Sequence, residues 1–332
     1  MNWINLQNFF ADKPKFRYNQ ARDFVFKNLI TDWQEASSLP KDWQDELNEI
    51  CPLNLQYDIL NSTDGETSKA VLTLSDGQKI ETVLMRYEKG RSTICLSSQI
   101  GCAVKCSFCA TGQMGFKRDL QPFEMLEQVL LFARILKSEN RQLTNLVFMG
   151  MGEPFLNFEN VIESTNLIKS KEYFNLGNRH ISISTVGLPE EIKKFADLET
   201  EINLAVSLHS ADEEKRKQLI PLAQNFSVEQ ILQAVDYYIA KTNRKVMFEY
   251  LMLDGFNDTV EDAVLLTKLM KKKLYHVNLV RYNKTDCAYK CSSVETIKAF
   301  KKFLMERGVN VTERYSFGSE IKAACGQLAQ NG

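Results

Sequence analysis

Three cysteines that lie close together in the chain are the residues best suited to hold a metal centre. Cys102, Cys106 and Cys109 are spaced Cys-x-x-x-Cys-x-x-Cys within the stretch 95–115. The spacing places three thiolates on one short loop, and three thiolates can hold three corners of a cubane iron–sulfur cluster while the fourth iron stays open. The small residues at positions 110–112 suit a loop wrapped closely around a cofactor. The pattern therefore predicts a 4Fe–4S cluster with one open iron.

Zinc and ordinary packing are the alternative interpretations of these cysteines. A structural zinc site normally closes with four ligands, and a catalytic zinc typically includes His or a carboxylate. No Cys or His follows closely behind Cys109, and the next cysteine is Cys287. Three cysteines at this spacing are rarely accidental, so the cluster is favoured over zinc and over buried structural cysteines. The remaining cysteines do not suggest a disulfide framework, which indicates a reducing compartment.

An open iron in such a cluster can chelate the amino and carboxylate groups of a small molecule. S-adenosylmethionine offers both groups. One electron from the cluster into its sulfonium would release a 5′-deoxyadenosyl radical, which cleaves C–H bonds that polar catalysis does not reach. A cluster of this kind could therefore support radical chemistry with this cofactor.

The composition is that of an ordinary soluble globular protein. The chain has 332 residues, 44% apolar and 25% charged, and its length suggests about two domains. The net charge of −1 excludes a globally basic nucleic-acid coat, so any RNA contact must rest on local basic patches such as Lys13, Lys15 and Arg17. No apolar run approaches the ~18 residues of a membrane span, and the first residues lack a secretory pattern. We expect a cytoplasmic protein with no membrane partner.

The order of predicted elements indicates an α/β fold. Residues 1–60 have helical periodicity, and Ser75, Asp76 and Gly77 predict the turn of a β-hairpin within residues 70–87. From residue 92 onward, strands and amphipathic helices alternate about six times, which predicts a parallel sheet curled into a partial barrel. The predicted strands are Thr93–Ser97, Asn145–Met149, His180–Thr185, Glu201–Leu208, Lys245–Leu253 and His276–Val280, followed by a short strand at Asn310–Tyr315. The predicted helices are Phe123–Leu136, Phe158–Ser170, Pro189–Phe195, Val228–Ala240, Val260–Lys272 and Val294–Glu306.

The candidate site residues follow the predicted strands. In parallel α/β folds, chemistry gathers at the carboxyl ends of the strands. The cysteine loop follows the first strand, Gly152 and Glu153 follow the second, and Ser184 ends the third. Ser207, Leu208 and His209 end the fourth strand, and Asn283 lies just past the sixth. We therefore expect these residues to meet at one mouth of the barrel.

The motifs together resemble a known family. The strings SSQIGCAVKCSFCATG, MGMGEP, SISTVG, SLH and AACGQL, in this order, are similar to the RlmN/Cfr family of radical S-adenosylmethionine methyltransferases, which act on adenosines in RNA. The likeness covers nearly the whole chain. It implies a partial (β/α)6 TIM-like barrel with a small helical accessory domain. The implied divisions are an RNA-binding helical domain at 1–60, a β-hairpin linker at 61–91, and the barrel with a C-terminal cysteine tail at 92–332.

The resemblance also implies roles for individual residues. Cys102, Cys106 and Cys109 would bind the 4Fe–4S cluster, and Gly152 and Glu153 would contact the methionine portion of S-adenosylmethionine. Further polar contacts to this cofactor would come from Ser184, Ser207, Leu208, His209 and Asn283.

Three further residues match the family's catalytic groups. Cys325 would first be methylated on sulfur, and a radical formed on that methyl group would attack an adenine ring carbon. Cys95 would remove the ring proton and form a transient disulfide with Cys325. Glu81 matches a carboxylate assigned as a proton acceptor, although a lone Glu in a hairpin strand more often faces solvent.

The implied reaction is methylation of carbon 2 of an adenosine in 23S ribosomal RNA, and of a transfer RNA adenosine next to the anticodon. A one-electron donor such as flavodoxin or ferredoxin would be a partner. Residues 274–283 instead resemble Cfr, which methylates carbon 8 and confers antibiotic resistance, but the complete MGMGEP motif favours carbon 2. A non-catalytic, metal-containing RNA-binding protein is a further alternative.

Overall fold

The computed structural model describes residues 1–314 and 317–329. The helices in these residues are α1 (Trp3–Phe9), α2 (Lys15–Phe26), α3 (Lys41–Ile50), α4 (Ala110–Gln113), α5 (Pro122–Ser138), α6 (Phe158–Lys169), α7 (Pro189–Asp197), α8 (Glu213–Leu219), α9 (Val228–Thr242), α10 (Val260–Leu269) and α11 (Val294–Glu306). The strands are β1 (Gln56–Asn61), β2 (Thr67–Thr73), β3 (Lys79–Arg86), β4 (Ser92–Leu96), β5 (Gln99–Gly101), β6 (Phe116–Asp119), β7 (Asn145–Phe148), β8 (Ile181–Thr185), β9 (Asn203–Ser207), β10 (Val246–Met252), β11 (Tyr275–Arg281) and β12 (Val311–Arg314). Among the described helices, none is both long and apolar enough to cross a membrane.

One sheet of ten strands organises the molecule, in the order β1-β2-β3-β4-β7-β8-β9-β10-β11-β12. From β4 to β12 every neighbouring pair is parallel, and each new strand adds beside the one before it. This sequential order is that of a curling barrel, because an open doubly wound sheet reverses its strand order at a switch point. The predicted partial barrel is confirmed, and β12 extends the six predicted units by one strand.

The strands carry the alternation that the fold requires. In β8, Ile181 and Ile183 are fully buried while Ser182 and Ser184 on the other face are partly open. The helices between the strands pack an apolar face against the sheet; α5, for example, buries Leu126 and Leu130. Because the strands are parallel, their carboxyl ends lie at one rim of the barrel. Polar side chains can line this rim, since the apolar faces are buried in the core.

The predicted hairpin is present, and it extends the barrel sheet. β2 and β3 pair antiparallel around Gly77, which adopts a φ of +78° that favours glycine. β3 then pairs antiparallel with β4, so that Val83 lies opposite Cys95. The hairpin thereby lies directly beside the first barrel strand.

The helical prediction for residues 1–60 is wrong at its end, because Gln56–Asn61 is the edge strand β1. This strand is mostly exposed and mixes polar with apolar residues, so its pairing with β2 rests on main-chain hydrogen bonds that leave little pattern in the sequence. The helices α1–α3 pack beside α5: Trp3 stacks on Phe123 at 5.0 Å between ring centroids, and its indole N–H donates to Glu127 at 2.9 Å. The domain boundaries at 60/61 and 91/92 stay predictions.

Two further differences concern element ends. Helix α10 ends at Leu269 rather than at Lys272, because the exposed lysines at 271–273 offer no apolar face to the sheet. The last strand begins at Val311 rather than at Asn310 and is described as far as Arg314, since Tyr315 lies outside the described residues.

Candidate active site

The loop with the three cysteines is held at its base by a small two-stranded sheet, β5 with β6. The backbone N–H of Cys102 donates to the carbonyl of Gly115 at 3.1 Å. A Cβ on Gly101 would lie 1.7 Å from the Gly115 carbonyl oxygen, and a Cβ on Gly112 would lie 2.9 Å from the backbone of Cys106. Glycine is therefore required at both positions for the loop to close this tightly. The sequence patterns did not predict β5 or β6, because each is only three or four residues long.

The three thiols line one cavity at the rim of the barrel, called here the first cavity. Burial, with smaller contributions from Glu153 and the neighbouring thiols, raises the pKa of Cys102 to about 12 and that of Cys106 well above its ordinary value. Burial also raises the pKa of Cys109. Metal-free thiols here stay protonated, and a metal centre must displace their protons to bind. The sulfur ligands would thus be neutral until a cationic centre arrives.

The arrangement of the thiols fits a cluster better than one ion. Within residues 1–314 and 317–329, no three His, Cys, Asp or Glu side chains form a group that could hold a metal ion. A zinc ion requires its donors to converge on one point at about 2.3 Å, whereas a cubane spreads its thiolates over separate corners. Three cysteines on one cavity wall supply the three thiolates that a 4Fe–4S cluster with one open iron needs.

Strand ends supply the polar wall of the first cavity. Gly152, Glu153, Ser184, Ser207 and His209 all line it together with the three cysteines, as the strand-end argument predicted. Gly152 adopts a φ of +101°, and a Cβ there would lie 2.6 Å from the side chain of Gln99. The Ser184 and Ser207 hydroxyls lie 3.4 Å apart. The shared rim thus brings these side chains together.

The Glu153 carboxylate is buried and fixed by backbone donors. It accepts hydrogen bonds from the N–H groups of Phe155 at 3.0 Å and Val186 at 2.9 Å. Burial raises its pKa to about 7, and these hydrogen bonds oppose that shift. One carboxylate with a preset orientation therefore lies beside the cysteine loop.

His209 is a neutral wall residue of the same cavity. Burial lowers its pKa to about 3, and its Nδ1 accepts from the N–H of Leu251 at 3.1 Å. Its ring meets Phe108 edge-on at 5.0 Å. Fixed in this way, His209 is suited to contact a ligand and unsuited to carry a proton at neutral pH.

Two predicted cofactor contacts lie elsewhere. Leu208 is fully buried in the main core and does not line the first cavity. Asn283 donates through Nδ2 to the carbonyls of Arg281 at 3.4 Å and of Cys325 at 3.3 Å. In this structure Asn283 therefore contacts the C-terminal tail (residues 317–329) rather than the cavity.

The tail crosses the barrel mouth and is tied to the cysteine loop. The N–H of Ala110 donates to the Gly326 carbonyl at 2.8 Å, and the Thr111 hydroxyl donates to the Leu328 carbonyl at 2.5 Å. Cys325 is exposed and lines the first cavity. The far end of the polypeptide thus delivers a thiol to the rim where the three cysteines lie.

Cys325 also opens onto a second cavity, which contains Cys95. Cys95 lies in β4, opposite Val147 of β7, and is buried. Burial raises its pKa to about 12; the charge of Cys325 raises it too, and Arg314 opposes the shift. Both sulfurs are free thiols. The second cavity therefore joins the two cysteines that the motifs singled out.

Glu81 is fully buried, which corrects the expectation that it faces solvent. Its Oε1 lies 3.2 Å from Nζ of Lys69, and its Oε2 accepts from the N–H of Ala329 at 3.0 Å. Burial raises its pKa, and Lys69 opposes that shift. Glu81 does not line either cavity. Its carboxylate contacts the tail that carries Cys325, because the hairpin packs under that tail.

Sequence reasoning missed Arg314, the last residue of β12. It lines both cavities, and its Nη1 lies 3.1 Å from Sδ of Met149 and 3.8 Å from Oε2 of Glu249. The strand-end rule could have found it, since it ends a parallel strand. The strand is short, however, and its pairing with β11 is not visible in the sequence.

Comparison with known proteins agrees with the parallel barrel and its cysteine loop: the profile of the Radical SAM superfamily matches residues 96–266. A crystal structure of a radical SAM methyltransferase from Sphaerobacter thermophilus superposes with a TM-score of 0.93, at 40% identity, over 97% of this chain and 96% of that one. The protein is thus a radical S-adenosylmethionine enzyme, and its cofactors are a 4Fe–4S cluster and S-adenosylmethionine.

Two curated relatives identify the family within the radical S-adenosylmethionine enzymes. The “Probable dual-specificity RNA methyltransferase RlmN” of Dictyoglomus turgidum is 40% identical over 95% of this chain and 91% of its own length. The “Ribosomal RNA large subunit methyltransferase N” of Nitrosopumilus maritimus is 41% identical over 95% of this chain and 92% of its own length. The chain belongs to the RlmN family of radical S-adenosylmethionine methyltransferases.

Proposed function

We propose that the protein methylates carbon 2 of an adenosine in 23S ribosomal RNA and of a transfer RNA adenosine next to the anticodon. The observation that carries the proposal is the position of Cys325. It lines both the first cavity, with the three cysteines, and the second cavity, with Cys95. The printed names of the relatives, which include ribosomal RNA and dual-specificity RNA methyltransferases, support RNA as the substrate.

Cys102, Cys106 and Cys109 would hold the 4Fe–4S cluster, and Gly152, Glu153, Ser184, Ser207 and His209 would bind S-adenosylmethionine. When bound, these cofactors supply the one-electron chemistry that activates a C–H bond. The three thiols and the fixed carboxylate share one wall, which supports this assignment. Leu208 and Asn283 would act indirectly, the first by packing behind His209 and the second by holding the tail.

Cys325 would accept the methyl group on its sulfur and present it at the junction of the two cavities. Cys95 would remove the proton from the adenine carbon that receives the methyl carbon. When the Cys95 sulfur forms a disulfide with Cys325, the Cys325 S–C bond would break, and the released carbon would take up a proton to become the methyl group of the base. A reductant must open this disulfide before the next turnover. The shared second cavity supports the pairing.

The open side of the second cavity is suited to an unpaired base. Arg91 lies 3.6 Å from the centre of the Tyr87 ring, and Tyr87 meets Phe317 at 4.8 Å between centroids. All three residues line this cavity. Aromatic rings and Arg planes stack on splayed-out bases in single-stranded RNA. We propose that the target adenosine enters here, with the helical section 1–60 adding contacts to the surrounding RNA.

The proposal also covers the electron donor and the cellular compartment. The cluster requires a one-electron donor, for which a flavodoxin or a ferredoxin is suited by potential and size. A thiol-rich centre favours a reducing compartment, so we place the protein in the cytoplasm. The absence of a membrane-spanning helix among the described residues is compatible with that placement.

Carbon 8 is the competing target, because residues 274–283 resemble Cfr. The RlmN names of the relatives and the complete MGMGEP motif favour carbon 2. The test uses anaerobically reconstituted protein with S-adenosylmethionine, a reductant and RNA, followed by mass spectrometry of digested RNA. We expect 2-methyladenosine with wild type and none with Cys325→Ala, while Cys291→Ala, at an exposed cysteine, keeps activity. 8-Methyladenosine, or full turnover by Cys325→Ala, would contradict the proposal.

A further inference from the structure

Arg314 is a cation that lines one cavity together with both candidate cysteines. It ends β12, and its side chain borders both the first and the second cavity. Of the described residues that line these cavities, the other arginine is Arg91, which lines the second cavity alone and lies over the Tyr87 ring. His209 lines the first cavity but is neutral. Among the described lining residues, Arg314 is therefore the cation that, like Cys325, borders both cavities.

The guanidinium forms an ion pair with Glu249 but no hydrogen bond to that carboxylate. The 3.8 Å separation from Glu249 Oε2 is too long for a hydrogen bond, and that oxygen has no hydrogen-bond partner in the described structure. The other contact of Nη1 is the thioether of Met149, a weak acceptor without charge. Asn278 occupies the second oxygen of Glu249 at 3.0 Å. Neither recorded contact of Nη1 is thus a hydrogen bond to a carboxylate.

The groups that face Arg314 are anionic or can become so. Burial lowers its pKa, but the negative charges of Cys325, Glu249 and Cys95 raise it above its ordinary value, and Tyr87 adds to this. Conversely, the charge of Arg314 lowers the pKa of Cys95 and so opposes the increase caused by burial. The electrostatic coupling therefore runs from one guanidinium to both sulfurs.

We propose that Arg314 is a positioning residue that stabilises the anionic forms of the Cys95 and Cys325 sulfur atoms. The inference rests on the proposed function for its purpose, because the thiolate rather than the thiol is the nucleophile. Cys325 releases its proton to solvent and attacks the methyl carbon of the sulfonium. Its new S–C bond forms as the C–S⁺ bond breaks, and a neutral thioether leaves. Cys95 as a thiolate can then take up the ring proton.

The test is the alkylation of both cysteines by iodoacetamide at neutral pH in the reconstituted holoprotein, followed by peptide mass spectrometry. Arg314→Gln should slow alkylation of Cys325 and Cys95 about tenfold, since the loss of a nearby opposite charge lowers thiolate content by about that factor. Arg314→Lys keeps the charge and should restore most of the rate. Arg179→Gln is the control, because Arg179 is exposed and pairs with Glu201, and neither residue lines either cavity.

A second measurement uses S-adenosylmethionine without RNA and follows the mass gain of the Cys325 peptide. Arg314→Gln should slow this gain about tenfold, in step with alkylation. Unchanged alkylation in Arg314→Gln would overturn the proposal even if RNA methylation were lost, as would an Arg314→Lys variant as slow as Arg314→Gln. The absorbance of the cluster and circular dichroism report whether each variant is folded. Alkylation by iodoacetamide requires neither RNA nor S-adenosylmethionine. If wild-type protein fails to methylate RNA, the proposed function is overturned, but the alkylation rates of wild type and Arg314→Gln still test the role of Arg314.

Discussion

The buried Lys69–Glu81 pair under the tail gives a prediction whose size follows from the structure. The two side chains are 3% and 0% exposed, and Glu81 also accepts from the N–H of Ala329. Replacing Glu81 by Leu leaves the Lys69 ammonium buried without its partner. Breaking a buried pair from one side costs about 3–5 kcal/mol, because an uncompensated charge stays in the protein. We expect Glu81→Leu to lower the free energy of unfolding by about that amount.

The double variant Lys69→Met/Glu81→Leu separates the charge from the tail contact. Removing both charges at similar volume is often neutral or stabilising, so the double variant should regain most of the lost free energy. The Ala329 N–H still lacks its acceptor, and an unsatisfied buried donor costs about 1–3 kcal/mol. This cost acts on tail docking, so the fraction of molecules with an undocked tail should rise about tenfold or more.

Two assays measure the two effects. Urea unfolding reports the global free energy of wild type, the single variant and the double variant. Brief trypsin digestion reports the tail, because Lys322 is exposed just before Cys325, and cleavage after exposed Lys273 serves as an internal reference. Cleavage after Lys322 should accelerate in both variants relative to cleavage after Lys273.

Two results would refute this reasoning. A double variant as unstable as Glu81→Leu would mean that the unpaired Lys69 is not the source of the loss. Unchanged cleavage after Lys322 would mean that the contact between Glu81 and Ala329 does not hold the tail, and a direct role of Glu81 in proton transfer would then be the better account.

Two further predictions concern the cavity walls. Tyr87→Leu should weaken binding of an RNA fragment about tenfold, because stacking on an aromatic ring contributes about 1–3 kcal/mol per base. Tyr237→Leu, at an exposed tyrosine on α9, is the control and should leave the affinity unchanged. Equal affinities of the two variants in a filter-binding assay would exclude the proposed entry site. Burial lowers the pKa of His209 to about 3. Between about pH 6.5 and pH 3, His209 therefore binds a proton in the unfolded chain but not in the folded protein. The free energy of unfolding should fall as the pH decreases through that range, by about 1.4 kcal/mol per pH unit for this group. His209→Gln should remove that part of the slope in urea titrations while the exposed His180→Gln retains it, and identical slopes would contradict the assignment.

Much of the site could be predicted because its parts are local. The spacing of Cys102, Cys106 and Cys109 puts their sulfurs on one loop whatever the rest of the chain does. The alternation of strands and helices fixes a parallel sheet, and the carboxyl ends of such strands meet at one rim. Ser184 and Glu153 therefore follow from the order of elements alone.

The burial and partners of Glu81, by contrast, were decided only by the tertiary structure. Its acceptor contact joins residues 248 positions apart, and its burial arises because β3 joins the barrel sheet beneath the tail. A period-two pattern says that a side chain points to one face, but it does not say what covers that face.

The sequence by itself determined the class of chemistry, since three thiolates on a short loop and strand-end polar residues are set by neighbours along the chain. Only the folded molecule determined which sulfurs share a cavity and which charged residue lines that cavity with them. Cys95, Arg314 and Cys325 come from the first barrel strand, the last strand and the tail. Their meeting depends on closing the sheet through all its strands, and that closure is a property of packing rather than of any local pattern.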